Sequence, residues 1–122
     1  MREGNLVRSE WTMRDSALVA EGRRLARDYM GELAALLQAR GITLTVVVYP
    51  WPVQLERGDR DSLHVRIWRE WSAKHGARFI DLFPPFFDAP DALRRFYIAG
   101  DVHWNAAGNQ FVADHFLKLY KP

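Results

Sequence analysis

The stretch ITLTVVVYP, residues 42–50, predicts a short β-strand that decides the fold class of the chain. Val46, Val47 and Val48 form a continuous β-branched run, which is typical of a strand covered on both faces in a parallel sheet. The run stops at Pro50, which has no backbone N–H to donate to a neighbouring strand. We therefore expect a parallel sheet with neighbours on both sides of this segment.

A long helix is predicted before the strand, over residues 14–41. Asp15 or Ser16 can cap its N-terminus, and Gly41 can end it. Apolar residues recur at helical spacing and form a stripe along one side, and such a stripe ordinarily faces a core. The stripe consists of Leu18, Leu25, Tyr29, Leu33, Leu36 and Leu37.

The rest of the chain alternates between helix and strand signals. The patterns predict a helix over residues 60–76, a strand over 77–83, a loop over 84–100 with one helical turn at 91–95, and a last helix over 106–120. The order helix, strand, helix, strand, loop, helix is an α/β pattern. It favours two parallel strands joined by a right-handed crossover.

The length of the chain limits how complete this sheet can be. With 122 residues, 48% apolar and 26% charged, the sequence is at most one small globular domain. Two strands are too few for a doubly wound sheet. We therefore expect residues 1–122 to be either a single small domain or the C-terminal fragment of a larger α/β domain, or a piece that another copy of the chain completes.

Composition excludes several classes of function. The net charge is +2 without a dense Lys/Arg run, so nucleic acid is not an expected partner. The absence of cysteine excludes disulfides, thiol nucleophiles and cysteine-type zinc sites. No apolar run of 18 residues predicts a membrane span, and the polar start MREGNLVRSEWTM does not resemble a secretory signal. A cytoplasmic location is therefore the default expectation, unless the chain is part of a longer one.

Asp101 and His103 are the candidate catalytic residues, in GDVHWNAAGN at residues 100–109. In an extended segment residues two apart point to the same side, so the carboxylate can contact the imidazole and support it as a general base. The alternative is an ordinary loop before a helix, with Asn105 as its N-cap. The remaining histidines lack metal-ligand spacing, so we expect no metal and no other cofactor.

The block GDVHWNAAGNQFVADHF resembles the closing block of the SGNH (GDSL-type) hydrolases, and GITLTVVVYPWPVQL and FIDLFPPF resemble the late strands of that family. The resemblance implies a three-layer α/β/α, flavodoxin-like fold and an esterase or acyl hydrolase with a Ser-His-Asp triad. His103 would be its general base and Asp101 the orienting acid. The common form of this block is D-x-x-H, and the shorter D-x-H followed by Trp resembles the SGNH-like proteins of polysaccharide O-acetylation and related branches.

The nucleophile block of that family, a Gly-Asp-Ser after the first strand, has no counterpart in context here. Ser62 in GDRDS and Ser16 in RDS are interpreted as helix caps. The expected function is therefore the acid–base half of an acyl hydrolase acting on an ester or O-acyl substrate. The isolated chain is expected to be inactive. The alternative is a non-catalytic, truncated α/β module that folds by self-association or with a partner chain.

Four further residues are candidates for lining a substrate pocket, because ligands of α/β sheets bind outside the carboxyl ends of the strands. They are Tyr49, Trp51, Gln54 and Trp104, and the two tryptophans can equally be packing anchors. The incomplete sheet also predicts a homodimer or higher oligomer. Its interface would bury either the sheet edge or the stripe of the first helix.

Overall fold

The valine run pairs in parallel with the second predicted strand. In the computed structural model, which describes residues 16–122, these segments are β1 (Thr45–Val48) and β2 (Arg78–Asp81). The register sets Val46 beside Phe79 and Val47 beside Ile80. The predicted α/β class and the parallel strand pair are therefore confirmed.

Helices make up most of the described chain, and polar caps begin three of them. Ser16, Ser62 and Asn105 are the N-caps of the first, third and last helices, and each side chain accepts a hydrogen bond from an amide of the first turn. None of the helices described is long and apolar enough to cross a membrane. In chain order they are α1 (Ala17–Gln38), α2 (Pro52–Arg57), α3 (Leu63–His75), α4 (Phe83–Asp88), α5 (Ala92–Phe96) and α6 (Ala106–Leu119).

Two short helices, α2 and α4, lie where the sequence pattern predicted no helix. Both carry proline in the first turn, where the missing N–H would have no intrahelical partner in any case. Gly58 ends α2 in the left-handed conformation with φ +68°. The expected loop over residues 84–100 is thus partly helical, because FPPFFD starts with a proline-compatible turn.

The sheet separates two apolar clusters. Successive strand residues point to opposite faces, so Val46 and Ile80 contribute to different clusters. On one face, α1 and α3 cover the strands through Ala34 and Trp71. The other cluster joins β2 to α4, α5 and α6. Its buried members are Ile80, Leu82, Phe86, Ala92, Phe96 and Tyr97.

The predicted stripe of α1 does not face either cluster. Leu18 is 83% exposed, Tyr29 66% and Leu36 52%. The helix instead packs through a different side, where Ala34 is its buried residue and the Arg27 carbonyl accepts the indole N–H of Trp71 at 3.3 Å. Periodicity therefore identified residues that share one face, and within residues 16–122 most of that face is exposed.

The expectation that β1 is covered on both faces is only half met. Val46 is buried against α1 and α3, whereas Val47, on the opposite face, is 37% exposed. Among the described residues β1 pairs only with β2. The sheet is thus covered on both faces at β2 and open on one face at β1.

Candidate functional site

The Asp101–His103 segment is a closed loop between α5 and α6. Tyr97 and Trp104 form an antiparallel bridge at its base. Inside the bridge, the Ile98 amide donates to the His103 carbonyl at 3.0 Å, and the Asp101 amide donates to the Ile98 carbonyl at 2.9 Å. These backbone bonds hold the two candidate residues on a short, hairpin-like turn immediately before α6.

Asn105 fixes this loop to both neighbouring helices. Its Oδ1 accepts the Gly108 amide at 2.9 Å, which caps α6. Its Nδ2 donates to the carbonyls of Arg95 at 2.9 Å and Tyr97 at 3.3 Å, and its own amide donates to the Phe96 carbonyl at 2.9 Å. The predicted N-cap is therefore confirmed, and the same side chain also closes the base of the loop.

The side chains of Asp101 and His103 are in direct contact. Asp101 Oδ1 lies 2.6 Å from His103 Nδ1, so the predicted hydrogen bond is present. An ionised carboxylate can only accept, which places a proton on Nδ1. In the neutral imidazole Nε2 then carries the free lone pair, which is the state a general base requires.

Hydrogen bonds keep the Asp101 carboxylate ionised. The bond from the His103 ring lowers the pKa of Asp101 below its ordinary value, and the amides of His103 and Val102 lower it further. Those amides lie 3.2 Å and 2.6 Å from Oδ1. Asp101 is therefore a fixed negative charge beside the imidazole at neutral pH.

The far side of the imidazole is open. The His103 side chain is 77% exposed, and Nε2 makes no hydrogen bond with any residue of the described chain. Ser16 and Ser62 act as helix caps, as predicted, and Ser72 is buried within α3. None of these three serines, the ones the structure describes, bonds to the histidine.

Two of the other histidines have packing contacts. His75 stacks on Trp71 with ring centroids 4.4 Å apart, and His115 Nδ1 lies 2.9 Å from the Phe111 carbonyl. In residues 16–122 no group of three or more His, Asp and Glu side chains is placed to hold a metal ion.

Two of the candidate pocket residues meet beside the loop. Tyr49 follows β1 at its carboxyl end, and its ring lies 4.5 Å from that of Trp104. Trp104 also stacks at 6.3 Å on Phe86. Trp104 is thus part of an aromatic cluster and half-buried, and Tyr49, 39% exposed, is the more accessible of the pair.

Gln54 does not line a pocket, because its side chain is buried between the starts of α2 and α3. It is 2% exposed, and its Oε1 accepts the Trp51 amide at 2.9 Å. Its Nε2 donates to Ser62 Oγ at 3.0 Å and to Asp59 Oδ2 at 3.2 Å. The side chain connects the start of α2 to the start of α3, and half-buried Trp51 is the N-cap residue of α2.

An open cleft of about 810 Å³ lies on the Asp101 side of the loop. Its wall combines apolar and charged groups, among them Leu93, Ile98, Glu56, Arg94 and Asp101. The acidic member of the pair therefore borders a space large enough for a small ligand.

Tyr97 and Gly108 are site residues that the sequence patterns did not reveal. The Tyr97 hydroxyl donates to the Pro50 carbonyl at 2.5 Å, a contact between residues 47 apart. A Cβ on Gly108 would collide with the Phe96 carbonyl and lie 2.9 Å from Trp104 Cβ. Both contacts are tertiary, and the one sequence signal for them is a glycine in the first turn of α6.

Comparison with protein-family models gave a match over residues 8–121, to the family described as SGNH hydrolase-like domain, acetyltransferase AlgX. The comparison with curated proteins gave no match, nor did that with solved structures.

Proposed function

The chain belongs to the SGNH hydrolase-like domain family of acetyltransferase AlgX, and on that premise we propose that Asp101 and His103 are the acid–base half of an acyl-transfer site. The observation that carries the proposal is the 2.6 Å contact between Asp101 Oδ1 and His103 Nδ1, which leaves Nε2 exposed. The family description names an acetyltransferase, so an acetyl ester is the substrate class we propose.

The chemistry needs a serine nucleophile that approaches the open side of His103. The serine oxygen attacks the ester carbonyl carbon while Nε2 takes the hydroxyl proton. The charge of Asp101 stabilises the imidazolium that forms. Nε2 then returns the proton to the departing alcohol, which leaves an acyl-serine.

The second half of the reaction uses the same nitrogen. A water molecule or an acceptor alcohol gives its proton to Nε2 and attacks the acyl-serine, and the serine oxygen recovers a proton as it leaves. Water completes a hydrolysis, and an alcohol completes a transfer of the acyl group. We propose that the nucleophile comes from residues outside this chain, in a longer protein or in a partner chain.

A second function is favoured by the surface rather than by the loop. The exposed stripe of α1 and the open face of β1 fit a non-catalytic α/β module that folds by self-association or with a partner chain. In that case the Asp101–His103 contact only stabilises the turn before α6.

The isolated 122-residue chain is expected to show no turnover of p-nitrophenyl acetate above that of free imidazole, because no described serine contacts His103. The measurement is nitrophenolate release at pH 7. Turnover lost in His103→Ala but kept in all serine variants would indicate a mechanism without a serine. Turnover lost in Ser62→Ala or Ser16→Ala would show that a helix cap had been mistaken for an inert residue.

The decisive experiment uses the product of the complete reading frame around these residues. Sequencing on both sides shows whether it encodes a strand followed by a serine. In the acetyl-ester assay on that protein, His103→Ala and Asp101→Asn should each lower kcat/KM at least about a thousandfold. His115→Ala is the matched control, because His115 lies on α6 and its hydrogen bond and its ring contact are both with Phe111 of the same helix. Equal activity of the His103 and His115 variants would refute the catalytic role and favour the second function.

A further inference from the structure

Tyr97 joins the loop of the candidate site to the end of the sheet. Its side chain is almost fully buried, with the residue 3% exposed, and its hydroxyl donates to the Pro50 carbonyl. Pro50 is itself buried and comes two residues after the end of β1. A single side-chain hydrogen bond thus connects the segment after the carboxyl end of β1 with the base of the Asp101–His103 turn.

The backbone of the same residue forms one side of that turn. Tyr97 is the bridge partner of Trp104, the residue after His103, and its carbonyl accepts the Nδ2 group of Asn105. A shift of Tyr97 relative to the sheet would therefore move the loop that carries His103. The ring contact of Trp104 with Tyr49 adds a second, apolar connection to the end of β1.

The hydroxyl is well suited to this connection. Burial raises the pKa of Tyr97, so the phenol keeps its proton, and its ability to donate, throughout the neutral and mildly alkaline range. The Pro50 carbonyl is a buried acceptor whose pairing is lost if the hydroxyl is removed. Phe86, whose ring lies 5.7 Å from that of Tyr97, has no polar group that could replace the hydroxyl as a donor.

We propose that Tyr97 is a positioning residue for the acid–base pair: its hydroxyl bond to Pro50 holds the Asp101–His103 turn at the carboxyl end of β1. The catalytic consequence rests on the proposed function, because a serine and an ester must meet Nε2 at that edge of the sheet. The geometric part can be tested without any activity.

The test compares Tyr97→Phe with the parent chain by NMR. The variant removes one oxygen and keeps the ring. In the parent, the His103 ring should give a protected Nδ1 proton and distinct ¹⁵N shifts for its two nitrogens. In Tyr97→Phe the turn should lose its fixed place at the end of β1, so the contact between the Tyr49 and Trp104 rings should weaken and the His103 ring signals should shift and broaden.

Tyr120→Phe is the matched control. It also removes a part-buried phenol oxygen, which accepts a hydrogen bond from Arg78 Nη1 at 3.3 Å. Tyr120 is the C-cap residue of α6, at the end of the helix opposite to the loop. This variant should leave the His103 signals and the contact between the Tyr49 and Trp104 rings unchanged. A purely structural role for Tyr97 predicts a lower melting temperature with an unchanged His103 signature, and that result would overturn the proposal.

A measurement on the parent protein keeps the proposal testable if Tyr97→Phe does not fold. A slowly exchanging hydroxyl proton of Tyr97, with a nuclear Overhauser effect to the Pro50 α-proton, is expected. Its absence would overturn the proposal.

In the acetyl-ester assay on the complete protein, Tyr97→Phe should lower kcat at least about tenfold while KM changes less than twofold. This result separates the two claims. Loss of the NMR signature in a protein whose activity does not depend on His103 would leave the positioning intact and reject the proposed function. A normal NMR signature together with activity that depends on His103 would do the reverse.

Discussion

The Asp101 carboxylate organises the turn as well as the imidazole. One oxygen accepts the ring nitrogen of His103 and the amides of Val102 and His103, so three donors converge on Oδ1. Such convergence favours the ionised form and orients the ring at the same time. The pairing is therefore expected whether or not the chain is an enzyme, and it is the exposed Nε2 that suits the site to base catalysis.

Asp101→Asn should reduce stability at neutral pH and change its dependence on acid. The pKa of Asp101 in the folded chain lies below the ordinary value of about 3.9. Its stabilising contribution is thus present above that pH and is lost as pH falls through the lowered folded value. Urea unfolding at pH 7 and at about pH 2 should show a gap between parent and variant that closes in acid. Asp114→Asn, which alters an exposed carboxylate on α6, should show no such pattern.

The raised pKa of Tyr97 should make the stability of the chain fall in alkali. Burial raises its pKa above the ordinary value of about 10, so the unfolded chain loses the phenol proton before the folded chain does. Stability should therefore decline as pH rises above about 10, and Tyr97→Phe should decline less steeply. Unfolding curves between pH 8 and pH 11 test this. Parallel curves for parent and variant would mean that another group controls alkaline unfolding.

At the scale of elements, the start of α6 is held against α5 without space for a side chain. A Cβ at Gly108 would meet the Phe96 carbonyl and Trp104. Gly108→Ala should therefore destabilise the chain by about 3 kcal/mol or more and disturb the His103 turn. Gly22→Ala on α1 is the control, because its Cβ would meet nothing within 4 Å and alanine is the better helix former. Thermal unfolding of the two variants should give shifts of opposite sign.

The starts of α2 and α3 depend on one buried polar pair. Ser62 Oγ accepts Gln54 Nε2 and an amide of α3, and both side chains are almost fully buried. Ser62→Ala should cost about 1–3 kcal/mol, because it removes a cap and a partner of a buried donor. Ser16→Ala removes an exposed cap and should cost less. If urea unfolding gives equal losses of stability for the two variants, burial does not increase the contribution of the Ser62 cap.

Local sequence patterns predicted most helices and strands, but they did not predict contacts between residues that are far apart in the sequence. The caps Ser16, Ser62 and Asn105 depend on residues within one turn, so their chemistry is readable in the sequence. The Asp101–His103 contact is equally local. Helices α2 and α4 were missed because proline is typical of loops as well as of the first turn of a helix, and the sequence pattern alone did not distinguish the two. Pro50 lies 47 residues before Tyr97 in the sequence, and no local pattern identifies it as the partner of the Tyr97 hydroxyl.

At the scale of the whole molecule, the part of the chain that the structure describes leaves apolar side chains of α1 and β1 exposed. Periodicity shows which residues share one side of a helix, and it grouped the stripe of α1 correctly. It does not show what that side contacts. In the structure α1 packs on the sheet through its Ala34 side, while five members of the stripe are exposed, namely Leu18, Leu25, Tyr29, Leu33 and Leu36. The open face of β1 at Val47 adds to the uncovered surface.

We propose that the stripe of α1 is covered by the same stripe of a second copy. Its spacing is self-complementary, since an antiparallel two-fold arrangement about the middle of α1 places Leu18 opposite Leu36 and Leu25 opposite Tyr29. Light scattering at micromolar concentration should therefore give a dimer of about 28 kDa, twice the 14.2 kDa of one chain.

Leu25→Glu should convert this dimer to a folded monomer, because it puts a charge near the centre of the buried stripe. Lys74→Glu, an exposed charge change on α3, should leave the dimer intact. A parent chain that is monomeric and well folded would contradict the proposal and show that the open stripe is tolerated in solution. A dimer that survives Leu25→Glu would point instead to the free edge of β1, where an unpaired strand offers backbone hydrogen bonds to another chain.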